Sequence, residues 1–390
     1  MSPQGVAPYG PLGGSEAIRC RLIAISVICL AIALVSACGD EQKAGLSIGR
    51  ASPGATASPP ATPEPALSGA EGASFTLVAV GDVMLGRSVG EAIGLYGPSY
   101  PFEQVAAALS EADVAFANLE APITARGLPA PKDYVFRAPP EAAEGLARAG
   151  FDIVSLANNH AMDYGVDGLL DTLDALGQAG VAFAGAGEDE TGARQPAVLT
   201  VAGLRVAFLA CVQVPDDSIS GFGAESMAAG PARAGVAWAS LGSIVADVEA
   251  AAQVADLVVV SLHTGFEYQE APSALQQELA HAAVDAGADL VLGHHPHVLQ
   301  GLERYRGALI AYSLGNFVFD FDETDYAHPG LPSAQTLILK VSFGPEGVRD
   351  VELLPVRIDP QESRPYLAEG DEADVIRQRM ERLSGALAGQ

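Results

Sequence analysis

Residues 75–82 read Phe-Thr-Leu-Val-Ala-Val-Gly-Asp, a short apolar run that ends in a glycine and a carboxylate. Its β-branched residues and its length predict a buried strand. Four further apolar runs also end in polar residues able to bind a metal: Ala117-Asn118-Leu119-Glu120, Leu156-Ala157-Asn158-Asn159-His160, Leu262-His263 and Leu292-Gly293-His294-His295-Pro296-His297. Because ligands bind at the carboxyl ends of strands in open α/β sheets, we expect these five segments to form one site.

Around these runs, strand patterns alternate with Ala- and Leu-rich helical patterns, which is typical of an α/β layered fold. The pair Ala202-Gly203 lies between two apolar runs and predicts a hairpin, so we expect mixed rather than wholly parallel sheets. One domain is predicted over residues 74–360, followed by a helical C-terminal tail over 361–390. The predicted helices span residues 102–112, 141–149, 166–179, 241–252, 273–286 and 371–387.

The composition limits the classes of partner. With 49% hydrophobic residues among 390, the chain can bury a substantial core. The net charge of −27 repels polyanions at long range, so nucleic-acid binding is not expected. A local site for an anion remains open, because bound metal cations dominate the potential inside a pocket.

The N-terminal residues predict export and anchoring. Arg19 and Arg21 precede the apolar run 22–37, which ends in Val-Ser-Ala before Cys38. This pattern predicts a lipoprotein signal peptide over 1–38 with acylation of Cys38, and its alternative is an uncleaved anchor helix. Residues 39–73, rich in Ala, Ser and Pro, are predicted to be a disordered tether. Both alternatives place the domain on the extracytoplasmic face of the cell membrane.

The histidines point to a metal. Five of the seven lie in the strand-end segments. Together with carboxylates and an amide they form a nitrogen and oxygen donor set suited to zinc, manganese or iron. His295 and His297 flank a proline that favours extended backbone, so their side chains can point to the same side. The alternative for this segment is a polar turn after a buried strand.

Three acidic residues near these histidines have less specific patterns. Glu120 is a candidate ligand, although an acidic residue before a proline can also cap a turn or face solvent. Asp163, three residues after His160, can orient that ring through its N–H, although helix capping is an alternative. Glu267, four residues after His263, is a candidate catalytic or substrate-contacting acid.

Six ordered motifs between about residues 75 and 321 resemble the bacterial capsule-synthesis (CapA, poly-γ-glutamate) family. They are Gly81-Asp82-Val83-Met84-Leu85-Gly86-Arg87, Asn118-Leu119-Glu120, Ala157-Asn158-Asn159-His160-Ala161-Met162-Asp163-Tyr164-Gly165, His263-Thr264-Gly265-Phe266-Glu267-Tyr268, Gly293-His294-His295-Pro296-His297-Val298 and Ser313-Leu314-Gly315-Asn316-Phe317.

That family resembles the calcineurin-like metallophosphoesterases, and the resemblance implies a four-layer α/β/β/α sandwich with two mixed sheets and a centre of one or two divalent ions. It also implies that His160 is a general acid or charge stabiliser and that His294 is a variable neighbour. The implied metal ligands are Asp82, Glu120, Asn159, His263, His295 and His297.

The chain departs from the wider phosphoesterase pattern at two positions. The usual Asp-x-His of the first motif is Asp82-Val83-Met84, so one expected imidazole is missing. Glu120 stands where the superfamily uses a bridging aspartate. These departures leave the metal count and two-metal catalysis open.

Two functions are therefore predicted. The first is a hydrolase in which a divalent metal activates water for attack on a phosphoester or a polymer amide, with catalytic roles for His160, Asp163 and Glu267. The second is a non-catalytic subunit that binds an anionic polymer within a membrane polymer-synthase complex. The residues predicted to contact the substrate or polymer are Arg87, Lys132, Arg137 and Asn316. For the three basic residues the alternative is a solvated surface position.

Overall fold

The structure, a computed structural model, describes residues 73–216 and 220–388. The predicted signal peptide, the acylation site Cys38 and the predicted tether up to residue 72 lie outside the described residues. Within the described ranges, no helix has the length and apolar character needed to cross a membrane.

The strands and helices follow the predicted alternation. The strands are β1 (Phe75–Val83), β2 (Val114–Leu119), β3 (Ile153–Ser155), β4 (Ala182–Ala184), β5 (Ala186–Gly187), β6 (Ala197–Val201), β7 (Leu204–Gln213), β8 (Gly235–Val236), β9 (Leu257–Thr264), β10 (Leu290–His294), β11 (Leu302–Tyr305), β12 (Ala308–Ala311), β13 (Asn316–Val318), β14 (Gln335–Gly344), β15 (Gly347–Asp359) and β16 (Arg364–Leu367). The helices are α1 (Arg87–Tyr96), α2 (Ala106–Ser110), α3 (Ala142–Ala149), α4 (Gly165–Ala179), α5 (Glu190–Arg194), α6 (Leu241–Ala252), α7 (Ala274–Asp285), α8 (Glu323–Tyr326) and α9 (Gly370–Leu387).

Two mixed sheets form the centre of the domain, as the hairpin pattern predicts. The first sheet has the order β16-β15-β14-β1-β2-β3-β4, with β13 also paired to β1, and β1 to β4 run parallel. The second sheet has the order β11-β12-β10-β9-β7-β6 and is parallel from β12 to β7. The hairpin joins β6 and β7 through Ala202 and Gly203, at φ 50° and 85°.

The four-layer arrangement follows from the two-residue period of the strands. Leu77 and Ala79 of β1 face the second sheet and pack in one apolar core with Phe208 of β7. Val78 and Val80 point the other way, into the core shared with α1 to α4. The outer face of the second sheet packs in the same manner against α6 and α7. Helices therefore cover both outer faces, and the predicted α/β/β/α sandwich is confirmed.

The C-terminal segment differs from the predicted helical tail. Residues 364–367 form β16, which pairs antiparallel with β15 at the edge of the first sheet. The apolar residues Ile376, Met380 and Leu383 of α9 belong to the core between the sheets. The segment 361–388 is therefore part of the domain, because its apolar stripe has a buried face to occupy.

Other elements also depart from the sequence-based expectations. Residues 102–112, predicted as one helix, form only α2 after a 3₁₀ turn at Tyr100–Phe102. Helix α1 was not predicted, because it contains two glycines and begins after Gly86, which has no capping side chain. Strands β11, β13 and β16 were not predicted either, and each has only three or four residues.

Candidate functional site

The first sheet supplies oxygen atoms to a buried cluster at the carboxyl ends of its strands. Asp82 is fully buried near the end of β1 and lies in register with Asn118 on one side and Asn316 on the other. The amide nitrogen of Asn118 donates to Oδ1 of Asp82 at 2.9 Å. Glu120 follows β2 and is also fully buried, and neither of its carboxylate oxygens has a hydrogen-bond partner among the described residues.

Close backbone approach brings these segments together. The amide N–H of Asp82 donates to the carbonyl of Gly315 at 2.9 Å. A Cβ at Gly81 would lie 1.9 Å from that oxygen, and a Cβ at Gly293 would lie 1.9 Å from the carbonyl oxygen of Tyr312. Each glycine directly precedes a polar segment of the cluster. Only glycine can occupy these two positions without moving the backbone that carries the site.

The second sheet supplies imidazoles. His263 on β9 lies in register with His294 on β10. Nε2 of His263 is 2.8 Å from the side-chain oxygen of Asn159 and 3.7 Å from Oε1 of Glu120. Nδ1 of His294 lies 3.2 Å from Oδ1 of Asp82. The rings from one sheet therefore meet the carboxylates from the other.

His297, in the loop after β10, is held on two sides. Its Nδ1 lies 2.9 Å from Oδ1 of Asn316 and 3.6 Å from Oδ2 of Asp82. The backbone N–H of His295 donates to Oδ2 of Asp82 at 3.3 Å. These contacts fix the histidine loop against the end of β1.

His160, in the turn after β3, has a separate support. Its Nδ1 lies 2.7 Å from Oδ2 of Asp163, and its ring stacks on Phe136 at a centroid distance of 4.0 Å. Nζ of Lys132 lies 2.6 Å from Oδ1 of Asp163 and donates to the backbone carbonyl of Asn159 at 2.7 Å. Nε2 of His160 is 3.9 Å from Oε1 of Glu120. The pair Lys132 and Asp163 therefore fixes the ring beside the carboxylate cluster.

Burial shifts the protonation equilibria of the cluster. It lowers the pKa of His295 to about 3 and that of His160 to about 4, and it also lowers the pKa of His263. Burial and the neighbouring charge of Asp82 raise the pKa of Glu120. Burial alone would raise the pKa of Asp82 as well, but the hydrogen bond and positive charge of His294 lower it. The imidazoles of His160, His263 and His295 are therefore neutral at pH 7, which is the form that binds metals.

The residues of the cluster fit a divalent cation. Ligand atoms of Asp82, Glu120 and His297 lie within 4.8 Å of one another. The unpartnered oxygens of buried Glu120 are costly in the metal-free protein, and a cation would satisfy both. Carboxylates, imidazoles and the Asn159 amide form a donor set for zinc, manganese or iron and not for a purely soft metal.

A cavity of about 460 Å³ opens above the cluster. Asn159, His160, His295 and His297 line it, whereas Asp82, Glu120 and His263 lie beneath its floor. Aromatic side chains form much of its wall: Tyr134, Phe136, Phe222, Phe266, Tyr268 and Phe319. The cavity lining also includes charged residues of both signs: Arg87, Lys132, Asp133, Asp216, Glu267, Asp322 and Asp325.

Residues 76–321 match the profile of the family described as bacterial capsule synthesis protein PGA_cap. The chain belongs to this family. It is 34% identical to the capsule biosynthesis protein CapA of Bacillus anthracis over 79% of this chain and 73% of that protein. It is 37% identical to the PGA biosynthesis protein CapA of Bacillus subtilis (strain 168) over 62% of each chain. A hypothetical protein from Thermus thermophilus superposes with a TM-score of 0.45 at 18% identity, covering 72% of this chain and 98% of that one.

Asn316, predicted to contact the substrate, and Asp163, predicted to have a catalytic role, do not line the cavity. Asn316 is fully buried, with its side-chain oxygen 2.9 Å from Nδ1 of His297. Its amide nitrogen donates to the carbonyl of Ser333, so Asn316 orients a ring and cannot contact a substrate. Asp163 is also fully buried, with its Oδ2 2.7 Å from Nδ1 of His160. Each of the two residues therefore contacts a histidine ring from beneath the cavity.

Of the three basic residues predicted to contact the substrate, two line the cavity and one does not. Arg137 is exposed away from the cavity, with its guanidinium 4.6 Å from the ring centroid of Tyr164. Lys132 reaches the cavity, but its side chain is only 6% exposed and is paired with Asp163. Arg87 lines the cavity and pairs with Asp320 at 3.2 Å.

Sequence reasoning missed two members of the cluster. His294, interpreted as a variable neighbour, is fully buried beside Asp82. Asn118, noted only as part of a motif, links Asp82 to Nδ1 of His263, with its amide nitrogen 3.3 Å from that ring. Strand register could have revealed both residues. Each lies near the end of its strand and pairs with a residue already assigned to the site, Asn118 with Asp82 and His294 with His263.

Proposed function

We propose that this protein is a metal-dependent hydrolase that acts in the synthesis or export of a capsule or poly-γ-glutamate polymer. The convergence of carboxylates and imidazoles under a cavity lined by His160 is the observation that supports it. The family and the names of the Bacillus relatives support the polymer as the biological context. The substrate class is a phosphoester or an amide of an anionic surface polymer.

The inner ligands would be Asp82, Glu120 and His297, with Asn159 and His263 completing the set. A divalent cation bound there supplies Lewis-acid chemistry, lowering the pKa of water and polarising a phosphoryl or carbonyl oxygen. Because Asn118 and His294 contact Asp82, they orient its carboxylate.

His160 would transfer the proton. The 2.7 Å contact between Nδ1 and the Asp163 carboxylate leads us to assign the ring proton to Nδ1, which leaves Nε2 as the acceptor. His160 then takes a proton at Nε2 from the attacking water and returns it to the leaving group. Asp163 stabilises the cationic ring in between, while Lys132 holds Asp163 in place.

The test combines metal content with turnover on the full chain. Wild-type protein loaded with Mn²⁺ is assayed on a phosphodiester panel and on poly-γ-glutamate. We expect His160→Gln to lower kcat by about 10² to 10⁴ while the Mn²⁺ content stays unchanged. His281→Gln is the matched control, because His281 lies on α7 and contacts Glu303 rather than the cluster. The hydrolase proposal would be refuted if the wild type retained metal without turnover and a His160→Gln strain still produced polymer at the wild-type level.

A non-catalytic, polymer-binding subunit is the second candidate. Met84 favours it, because the first motif places a buried thioether where an imidazole is usual in metallophosphoesterases. In that case the cavity would hold a segment of polymer without cleaving it. Retention of radiolabelled poly-γ-glutamate by the Mn²⁺-loaded chain, with no change in its length distribution, distinguishes this function from hydrolysis.

Surface anchoring through Cys38 is part of the proposal. The lipobox-like Val-Ser-Ala-Cys pattern supports it. Expressed in a bacterium fed labelled palmitate, the wild type is expected to take up label and to fractionate with membranes. Cys38→Ser is expected to take up none, and equal labelling of both proteins would refute the anchor. Such an anchor would also bring the domain close to a membrane polymer synthase.

A further inference from the structure

A second group of possible ligands lies above the buried cluster, at the floor of the cavity. Glu267, His295 and His297 each offer one ligand atom, and these atoms lie within 4.8 Å of one another. All three residues line the cavity, unlike Asp82 and Glu120. Because His297 belongs to both groups, the two groups adjoin.

His295 is the independent sign that this group binds a ligand. The side chain is only 4% exposed, and its Nδ1 is buried without a hydrogen-bond partner among the described residues. A buried ring nitrogen with no partner is costly, so native structures rarely keep one without a reason. A cation bound at Nδ1 would provide that partner.

The backbone holds Glu267 against the two histidines. The N–H of Tyr268 donates to the carbonyl of Pro296 at 2.8 Å, which ties the loop after β9 to the loop after β10. Tyr268, His295 and His297 have φ of 59°, 93° and 57°. Such conformations are unfavourable for residues with a Cβ, and they persist where the surrounding structure imposes them. Both loops therefore hold strained backbone conformations that keep Glu267 close to His295 and His297.

The first motif lacks the imidazole of the usual Asp-x-His pattern. Met84 is fully buried in the core between the first sheet and its helices, and its Sδ accepts from the N–H of Gly86 at 3.1 Å. Its thioether therefore faces apolar side chains. A carboxylate from the second sheet, Glu267, is available at the cavity instead.

We infer that Glu267, His295 and His297 form an outer metal position, next to the inner position of Asp82 and Glu120. Two imidazoles and one carboxylate leave coordination positions open, as in catalytic rather than closed structural sites. The outer position is the one that a substrate in the cavity reaches. This inference rests on the proposed function in requiring a metal, but it adds a ligand, Glu267, that is outside the set implied by the metallophosphoesterase resemblance.

The test counts ions on the full chain with Mn²⁺ as the probe. Equilibrium dialysis and calorimetric titration are run on the wild type, Glu267→Gln and Asp133→Asn. Asp133 is the matched control, an exposed cavity carboxylate outside both ligand groups. We expect two ions per chain in the wild type and in the control, with an exchange-coupled electron paramagnetic resonance spectrum. We expect Glu267→Gln to keep the first ion and to bind the second at least ten-fold more weakly.

Each other result is decisive. Two ions of unchanged affinity in Glu267→Gln, or one ion in the wild type, overturns the outer position and leaves the proposed function standing. Loss of both ions in a folded Glu267→Gln protein, verified by circular dichroism, also overturns it, because the two positions would not be separable. Absence of any retained metal in the wild type, with Mn²⁺, Zn²⁺ or Fe²⁺, refutes the proposed function itself.

Discussion

Among the candidate ligands, the first sheet brings the buried carboxylates of Asp82 and Glu120, whereas the second brings the imidazoles of His263, His295 and His297 and the exposed carboxylate of Glu267. Neither sheet alone holds a complete set. The apolar core between the sheets, in which Phe116 stacks near Phe208, therefore sets the distance between the two kinds of ligand. The site is thus a property of sheet packing, so changes to the core should affect it.

Separating the sheets should have the largest effect. Phe116 is 1% exposed, and its ring centroid lies 6.2 Å from that of Phe208 and 6.1 Å from that of His294. We expect Phe116→Ala to lower the free energy of unfolding by about 3–5 kcal/mol and to weaken Mn²⁺ binding. Urea denaturation and Mn²⁺ titration measure the two effects.

The matched control is Phe102→Ala, which removes an equally buried ring from the core between the first sheet and its helices. It should cost comparable stability with a smaller change in Mn²⁺ affinity, because that core does not separate the ligands. Equal weakening of Mn²⁺ binding by both variants would contradict the dependence on sheet packing.

Removing one candidate ligand from each sheet should change metal binding in different ways. We expect Asp82→Asn to weaken the tighter Mn²⁺ by about 100-fold, equivalent to about 2.7 kcal/mol, because it removes a carboxylate oxygen. His295→Gln should weaken Zn²⁺ more than Mn²⁺, since imidazole suits zinc and oxygen suits manganese. Competition titrations with both metals measure the preference. Identical selectivity changes in the two variants would refute the division of ligand types between the sheets.

Proton binding should distinguish Glu120 from His295 by the sign of its effect on stability in the metal-free protein. Burial lowers the pKa of His295 to about 3, so below roughly pH 6.5 the unfolded chain binds a proton that the fold does not. Stability therefore falls as the pH is lowered from 7 to 5, by up to about 1.4 kcal/mol per pH unit for this group. Burial raises the pKa of Glu120, so its contribution is present at low pH and is lost as the pH rises.

Urea denaturation at pH 5, 6 and 7 measures the slope of stability against pH. We expect His295→Gln to make the slope shallower and Glu120→Gln to make it steeper. Unchanged slopes in both variants would mean that these groups titrate alike in the folded and unfolded chains.

A substitution outside both ligand sets should have the smallest effect. Arg137 is exposed and contacts Tyr164 rather than the cavity. We expect Arg137→Ala to change the free energy of unfolding by less than about 0.5 kcal/mol and to leave Mn²⁺ affinity unchanged. A ten-fold loss of Mn²⁺ or substrate affinity would instead support the predicted contact between Arg137 and the substrate.

Much of the fold was predictable from local pattern. The apolar run at residues 75–80 predicts β1, and α6 spans Leu241–Ala252 as its periodicity indicates. Such elements have strong periods and clear ends, here with a capping box at Ser240. The short strand β13 was not predictable in the same way. Its three residues carry no period and pair with β1 only because the loop after β12 returns to that strand.

The residues of the site were likewise predictable only where a local pattern marks them. Polar residues after apolar strands identified Asp82, Asn159 and His263, because a buried carboxylate or imidazole at a strand end has few explanations other than a ligand or a partner. Strand register and sheet packing position the residues that the sequence pattern did not reveal, Asn118 and His294. His294 lies beside Asp82 because the second sheet packs against the first, a contact between residues far apart in the chain.

Local sequence pattern predicted the α/β alternation, the mixed sheets and the donor types at the strand ends, because strand period, hairpin residues and side-chain chemistry are local properties. Tertiary packing sets which donors meet. It buried Asn316 and Asp163 behind the rings that they orient, turned Met84 into the core, and placed Glu267 beside His295 and His297 at the cavity floor. Those outcomes depend on the packing of two sheets and on loops tied across them, and no local pattern encodes distances of that kind.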